Sequence, residues 1–318
     1  MKKAVILDAD TVLGGGVSLA PLQELFETKT YSFSTPDEIA ERIGDAEAVF
    51  TNKCRITKEV FEKCPNLKFI GVFATGYNNI DIETAKARGC VVANVPGYST
   101  NLVAQHTVAL ILHYYSQVAS YSNSVANGDW CKSSLFSYFN YPFFELSGKT
   151  LGIVGYGSIG KAVKKIAEAF GMKILVHTRT MPEDTNGIEV VGFEELLKRS
   201  DVVTFHCPLT PQTELLINRE TLALMKPTAL LINTSRGGVI NENDLAEALN
   251  DGKIAGAGLD VLTVEPMSEN CPLKNAKNCY ITPHIAWAAV ETRTRLIEMV
   301  KQNALAYLSG SPINNVAK

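Results

Sequence analysis

Short apolar runs alternate with amphipathic stretches along almost the whole chain, and this alternation constrains the fold more than any other feature. In the first hundred residues KAVILDA (3–9), TYSFS (30–34), AEAVFT (46–51), LKFIGVFA (67–74) and CVVANV (90–95) carry the β-branched and aromatic residues that suit strands. Between them APLQELFE (20–27), PDEIAERI (36–43), TKEVFEKC (57–64) and DIETAKARG (81–89) place apolar residues at helical spacing, several behind a Ser, Thr or Asp cap. Strands joined through helices imply a parallel sheet covered on both faces.

A second alternation runs through KTLGIVG (149–155), MKILVHT (172–178), SDVVTFHC (200–207), ALLINTS (229–235), IAGAGLDV (254–261) and NCYITPH (278–284). It is preceded by LVAQHTVALILHYYSQVASY (102–121), which reads as one long helix, apolar on nearly every side and therefore expected at a domain or subunit contact. With 318 residues there is material for two cores. The expected architecture is α/β, two doubly wound parallel-sheet domains: a flavodoxin-like domain of residues 1–98 plus 289–318 and a Rossmann domain of residues 99–288.

The Rossmann reading rests on Gly155-Tyr156-Gly157-Ser158-Ile159-Gly160, which follows the apolar strand TLGIV and opens an amphipathic helix. In that context Gly155 permits a tight turn, Gly157 a close approach of backbone to a pyrophosphate, and Gly160 close packing of helix on strand. The amides at the helix start, Ser158 and Ile159 among them, would face the phosphates. About twenty residues on, where an acidic side chain would hold the ribose of NAD, stand Thr178, Arg179 and Thr180. A guanidinium fork flanked by hydroxyls suits a 2′-phosphate, so NADP(H) is the expected cofactor and NAD(H) the alternative. Under that alternative Arg179 stacks on the adenine, or Glu183 or Asp184 holds the ribose.

Thirty basic against 33 acidic residues, interspersed, leave no basic block for nucleic acid. Seven scattered cysteines without a C-x-x-C pair read as free thiols, and no cluster has metal-ligand spacing. The apolar AVIL before Asp8 is too short for a signal core and VALIL too short for a membrane span, so a cytoplasmic protein is expected. His106 and His113 read as satisfied core residues, and His206 is assigned no chemistry.

Three segments supply reactive side chains at predicted strand ends: Arg236 in NTSRGG, Asp260 and Glu265 in GLDVLTVEP, and His284 in ITPHIAWA. A cation for a carboxylate, an acid for a carbonyl oxygen and a nearby nicotinamide form a device for reducing a 2-oxo acid.

With these motifs, and with ATGYNNID (74–81), NVPGYSTNLVAQHTVALIL (94–112), HCPLTPQT (206–213) and LMKPTALLINTSRGGVIN (224–241), the sequence resembles the D-isomer-specific 2-hydroxyacid dehydrogenases over nearly its whole length. GYST, VAQ and HIAWA look most like the hydroxypyruvate reductase (glycerate dehydrogenase) branch. The resemblance implies that Arg236 binds the substrate carboxylate, that His284 is the general acid, and that Glu265 pairs with that imidazole and favours its protonated form. It implies a second carboxylate clamp at the amides of Thr75 and Gly76, and Asp260 as partner of the nicotinamide amide. Cys207, Pro208, Thr213, Thr234 and Ser235 are expected to line the cofactor. Trp287 forms either a wall of the substrate pocket or hinge packing. Asn241, where relatives often carry Asp, is expected to cap the following helix.

Residues 130–144 hold seven aromatics (Trp130, Phe136, Tyr138, Phe139, Tyr141, Phe143, Phe144), which suggests a subunit interface or else a local packing cluster; the resemblance implies a homodimer. The expected reaction is NAD(P)H-dependent reduction of hydroxypyruvate to D-glycerate. Glyoxylate or a larger 2-oxo acid is the alternative substrate, and a dinucleotide-sensing, corepressor-like binding protein the alternative class. Against that class stands a last predicted helix ending only a few residues before Lys318.

Overall fold

The computed structural model describes residues 1–318, which divide into two compact units, Met1–Ser99 with Trp287–Lys318, and Thr100–Ala286. The second crossing thus falls before Trp287, two residues earlier than the boundary expected from sequence.

The first unit contains strands β1 (Lys3–Ile6), β2 (Glu27–Thr30), β3 (Ala48–Thr51), β4 (Phe69–Val72) and β5 (Val91–Ala93), with helices α1 (Ala20–Gln23), α2 (Ile39–Ile43), α3 (Lys58–Lys63) and α4 (Ile82–Ala87). All pairings are parallel, in the order β2-β1-β3-β4-β5, the flavodoxin-like arrangement. Side chains alternate between two buried faces. Val5, Val49, Ile70 and Val92 meet Ile39, Ile43, Val60 and Phe61 on one side. Ala4, Ile6, Phe50 and Phe69 meet Leu296, Ile297 and Val300 on the other.

One expected strand is displaced. The strand is ETKT, which shares only Thr30 with TYSFS; residues 31–34 are irregular. β2 is an edge strand that pairs only with β1 and buries little, so it carries no apolar signature.

The second unit opens with α5 (Thr100–Ser116), α6 (Val118–Ala126) and α7 (Asp129–Lys132). There follow β6 (Thr150–Val154), α8 (Ser158–Ala169), β7 (Lys173–His177), β8 (Glu189–Val190), α9 (Phe193–Arg199), β9 (Val202–Phe205) and α10 (Arg219–Leu222). β10 (Leu230–Asn233), α11 (Glu242–Asn250), β11 (Gly256–Leu259) and β12 (Cys279–Ile281) complete it, and α12 (Val290–Leu308) belongs to the first unit. The parallel order β8-β7-β6-β9-β10-β11-β12 is the Rossmann order with one added strand. Its direction of winding switches between β6 and β9, and ligands of such sheets bind at the carboxyl ends beside that switch.

The long apolar helix differs from expectation in two ways. It stops at Ser116, because Gln117 takes a left-handed conformation, and α6 starts afresh. It also has an outward stripe, Asn101, Gln105, Ala109 and His113, at four-residue spacing. His113 is therefore exposed, edge-on to Tyr280 at 4.3 Å, not a core residue. Ala104, Leu110, Ile111 and Tyr115 of α5 pack within its own unit, joining Val163, Ile153 and Ile232. No helix is long and apolar enough to cross a membrane.

Candidate active site

At the switch point of the second unit, β6 delivers the GYGSIG loop. Gly155 has φ 92°, and a Cβ there would stand 2.7 Å from the Cys207 nitrogen, so the turn needs glycine both for its dihedral and for its approach to the loop after β9. A Cβ on Gly160 would meet the Gly155 carbonyl oxygen at 2.5 Å, the close helix-on-strand packing that the motif implies. Around Gly157 a Cβ would touch nothing within 4 Å, and no side chain caps α8. An open, uncapped helix start behind a glycine turn fits the pyrophosphate of a dinucleotide. Ser158 begins the helix, exposed, and Ile159 tucks against the core.

Thr178, half-buried, and exposed Arg179 and Thr180 follow β7 directly. After β9 come Cys207 and Pro208. Burial raises the Cys207 thiol above its usual range. Thr213 closes this loop by donating to the Pro208 carbonyl at 2.7 Å and accepting from the Thr210 amide at 2.8 Å. His206, which precedes them, bonds Thr204 Oγ1 through Nε2 at 2.9 Å, while its buried Nδ1 has no partner. With no counter-charge to offset burial, its imidazole is pushed down to about 3 and stays neutral.

The Arg236 loop is organised by a residue that the sequence reading passed over. Asn233, fully buried at the end of β10, accepts from the Ser235 amide (3.0 Å) and hydroxyl (2.8 Å) and donates to the Arg236 carbonyl (2.8 Å). Thr234 points the other way and shares a 2.9 Å hydrogen bond with Thr107 of α5. Arg236 is left exposed, with Nη1 on the Ser235 carbonyl. Asn241 then caps α11 by accepting from the Asn243 and Asp244 amides, as expected.

Gly237 is a second support that the side-chain pattern does not reveal. A Cβ on it would lie 1.9 Å from the Leu262 carbonyl carbon and 2.3 Å from the Thr263 nitrogen, so the loop after β10 lies directly on the backbone of the loop after β11. Glu242 strengthens that seam by accepting from the Thr263 amide at 2.6 Å. The signals were present, an Asn at a strand end and a Gly-Gly pair, but they read only as turn chemistry.

Glu265 sits on this second loop. One of its oxygens accepts from the Leu262 amide at 3.0 Å and the other meets His284 Nδ1 at 2.6 Å. Since a carboxylate only accepts, Nδ1 carries a hydrogen. His284 has φ 54°, a conformation rare for a side-chain-bearing residue, and its amide is held by the carbonyls of Asp260 (2.8 Å) and Thr282 (2.9 Å). Stored backbone strain of this kind clusters at functional positions.

Asp260 is 1% exposed and braces the His284 segment. It accepts from Thr282 Oγ1 at 2.6 Å and from the amides of Ile285 and Ala286 at 2.8 Å each. Thr282 spends its proton on that carboxylate, so His106 Nε2, 2.9 Å from the same hydroxyl, donates to it. A nicotinamide amide would have to share a carboxylate that already has these donors.

The first unit holds the remaining expected residues. Thr75 donates through its hydroxyl to the Val95 carbonyl at 2.7 Å and accepts from Asn94 Nδ2 at its own carbonyl, also at 2.7 Å, which pins the turn carrying the Thr75 and Gly76 amides. Trp287 packs against this unit's core and stands edge-on to Tyr98, with ring centroids 6.4 Å apart.

A family model described as D-isomer specific 2-hydroxyacid dehydrogenase, NAD binding domain, matches residues 108–286. A hydroxypyruvate reductase of Blautia hydrogenotrophica is 44% identical over 99% of this chain and 100% of its own. A glycerate dehydrogenase of Methylorubrum extorquens is 41% identical over 99% of both. Among solved structures, an NADPH-dependent glyoxylate/hydroxypyruvate reductase of Sinorhizobium meliloti superposes with a TM-score of 0.85 at 28% identity, covering 100% of this chain and 98% of that one.

Proposed function

The chain belongs to the D-isomer-specific 2-hydroxyacid dehydrogenase family and is an oxidoreductase, and from that premise we propose that it reduces hydroxypyruvate to D-glycerate with NADPH. The observation that carries the reading is the 2.6 Å pair of His284 Nδ1 and Glu265, the latter on the loop after β11 whose backbone Gly237 brings against the Arg236 loop. The relatives' names support the substrate class, and Arg179 beyond β7 supports the phosphorylated nucleotide.

When bound, a reduced nicotinamide nucleotide would supply the hydride for the carbonyl carbon. The residues that would hold it are the Gly155–Gly160 loop, Thr178, Arg179 and Thr180, with Cys207, Pro208, Thr234 and Ser235 alongside. Arg236 binds the substrate carboxylate through its guanidinium fork, which fixes the face that the carbonyl presents. The family resemblance implies a further carboxylate contact at the amides of Thr75 and Gly76. His284 carries the transferable proton on Nε2, because Nδ1 is committed to Glu265, and gives it to the oxygen as negative charge builds there. Glu265 holds the ring in that orientation by accepting from Nδ1 at 2.6 Å.

Trp130, Leu135, Phe136, Phe139, Phe143 and Phe144 are exposed, Phe136 to 91%. An apolar patch of that kind supports a homodimer that buries it. Seven unbridged cysteines support a cytoplasmic location.

The test is loss of reduced-nicotinamide absorbance with NADPH and NADH, each offered hydroxypyruvate and glyoxylate. Fast turnover of hydroxypyruvate with NADPH is expected. Preference for glyoxylate would move the substrate assignment, and preference for NADH would remove the role given to Arg179.

A further inference from the structure

The first unit has a switch point of its own, between β1 and β3, and in sheets of its order ligands bind outside the strand ends at that place. Here the position is filled from within. Asp8, two residues beyond β1 and 1% exposed, reaches into the loop after β3. Its carboxylate accepts from the amides of Asn52 (3.0 Å), Lys53 (2.6 Å) and Cys54 (3.2 Å) and from the Thr51 hydroxyl (3.2 Å). Three successive amides converging on one anion form a nest, of the kind that elsewhere takes a phosphate.

The nest is tied to the turn that carries the Thr75 and Gly76 amides. Asn79 Nδ2 donates to the Cys54 carbonyl at 2.8 Å. The Ile56 amide donates to the Asn79 carbonyl and the Asp81 amide to the Ile56 carbonyl, each at 2.9 Å. Residues 51–56 and 75–81 are thereby joined edge to edge.

We propose that Asp8 is a positioning residue for the reaction: its carboxylate occupies the anion nest at this switch point and, through the 51–56 loop and Asn79, sets the Thr75–Gly76 amides for the substrate carboxylate. The proposal rests on the reading of those amides as a clamp. Losing the anion frees the nest amides, and a loosened clamp weakens substrate binding more than the chemical step.

The experiment compares wild type with Asp8→Ala, and with Asp8→Gly in the absence and presence of formate, an anion small enough to enter the vacated nest. Asp8→Ala is expected to raise KM for hydroxypyruvate roughly tenfold, the scale of one lost charge-assisted hydrogen bond, with kcat changed less than about threefold. NADPH binding, followed by its fluorescence, is expected to stay at the wild-type value. Amide exchange is expected to speed up over both 52–54 and 75–79. Formate is expected to lower KM in Asp8→Gly, whereas in wild type it can only compete with the substrate carboxylate and raise the apparent KM; a merely structural aspartate would not produce that opposite response. Unchanged KM, a loss confined to kcat, or faster exchange at 52–54 alone would overturn the proposal. Should Asp8→Ala not fold, Asp8→Asn, which keeps the shape and one acceptor, is judged by the same criteria. A wild type inert toward every 2-oxo acid, with exchange still coupled between the two loops, would sink the substrate reading and keep the link between Asp8 and the turn.

Discussion

Gly237→Ala tests how far the reaction depends on the seam between the Arg236 and Glu265 loops. The added methyl carbon would stand 1.9 Å from the Leu262 carbonyl carbon, and ordinary contact begins near 3.4 Å, so the two backbones must part by about 1.5 Å. Neither loop can yield alone at low cost. The first is held by buried Asn233 and the second by Glu242 and by Glu265 itself. Forcing atoms into a packed seam costs about 1–3 kcal/mol, which would show as a melting temperature lower by several degrees. The larger effect is on the reaction, because a misplacement of about 1 Å between substrate-binding and acid groups can cost about 10²-fold. Steady-state kinetics with the preferred 2-oxo acid is expected to show kcat/KM reduced by about that factor, alongside the thermal shift. A variant that melts earlier yet keeps kcat/KM within about threefold would refute the argument that this glycine registers the two loops.

Other expectations are as direct. His284→Ala should lower kcat by ~10²–10⁴ as a lost general acid, and Arg236→Ala should raise KM for the 2-oxo acid as well as slow turnover; wild-type kinetics in either variant would remove that residue from the mechanism. Arg179→Ala should raise KM for NADPH and leave that for NADH nearly unchanged, and equal effects on both would contradict a phosphate contact. His206 is held at about 3 when folded against 6.5 for the ordinary group, so the unfolded chain takes up the proton first as pH falls. Its contribution to stability is complete above pH 6.5 and is lost on descending toward pH 3, at ~1.4 kcal/mol per unit. His206→Gln should therefore lose about 2 kcal/mol less than wild type between pH 7 and pH 5 in urea unfolding. Equal losses would mean that the native protein accepts the proton.

Much of this protein was determined by sequence because its signals are local. Apolar strand runs, the glycines of GYGSIG and the polar residues just past strand ends report on neighbours within a few positions, and the parallel topology follows from their alternation. The signal failed where burial, and not residue type, makes the element. β2 is a polar edge strand, and α5 hides an outward stripe at Asn101, Gln105, Ala109 and His113. Arg236, Glu265 and His284 were each visible as residues, but their support was not. Asn233 and Gly237 act on backbone groups, Asp8 fills a nest more than forty positions away, and His106 reaches Asp260 through Thr282. Backbone amides and carbonyls are the same for every residue type, so no pattern of side chains announces where they will converge. Only the folded chain, by bringing distant strand ends to one edge, decides which of them meet.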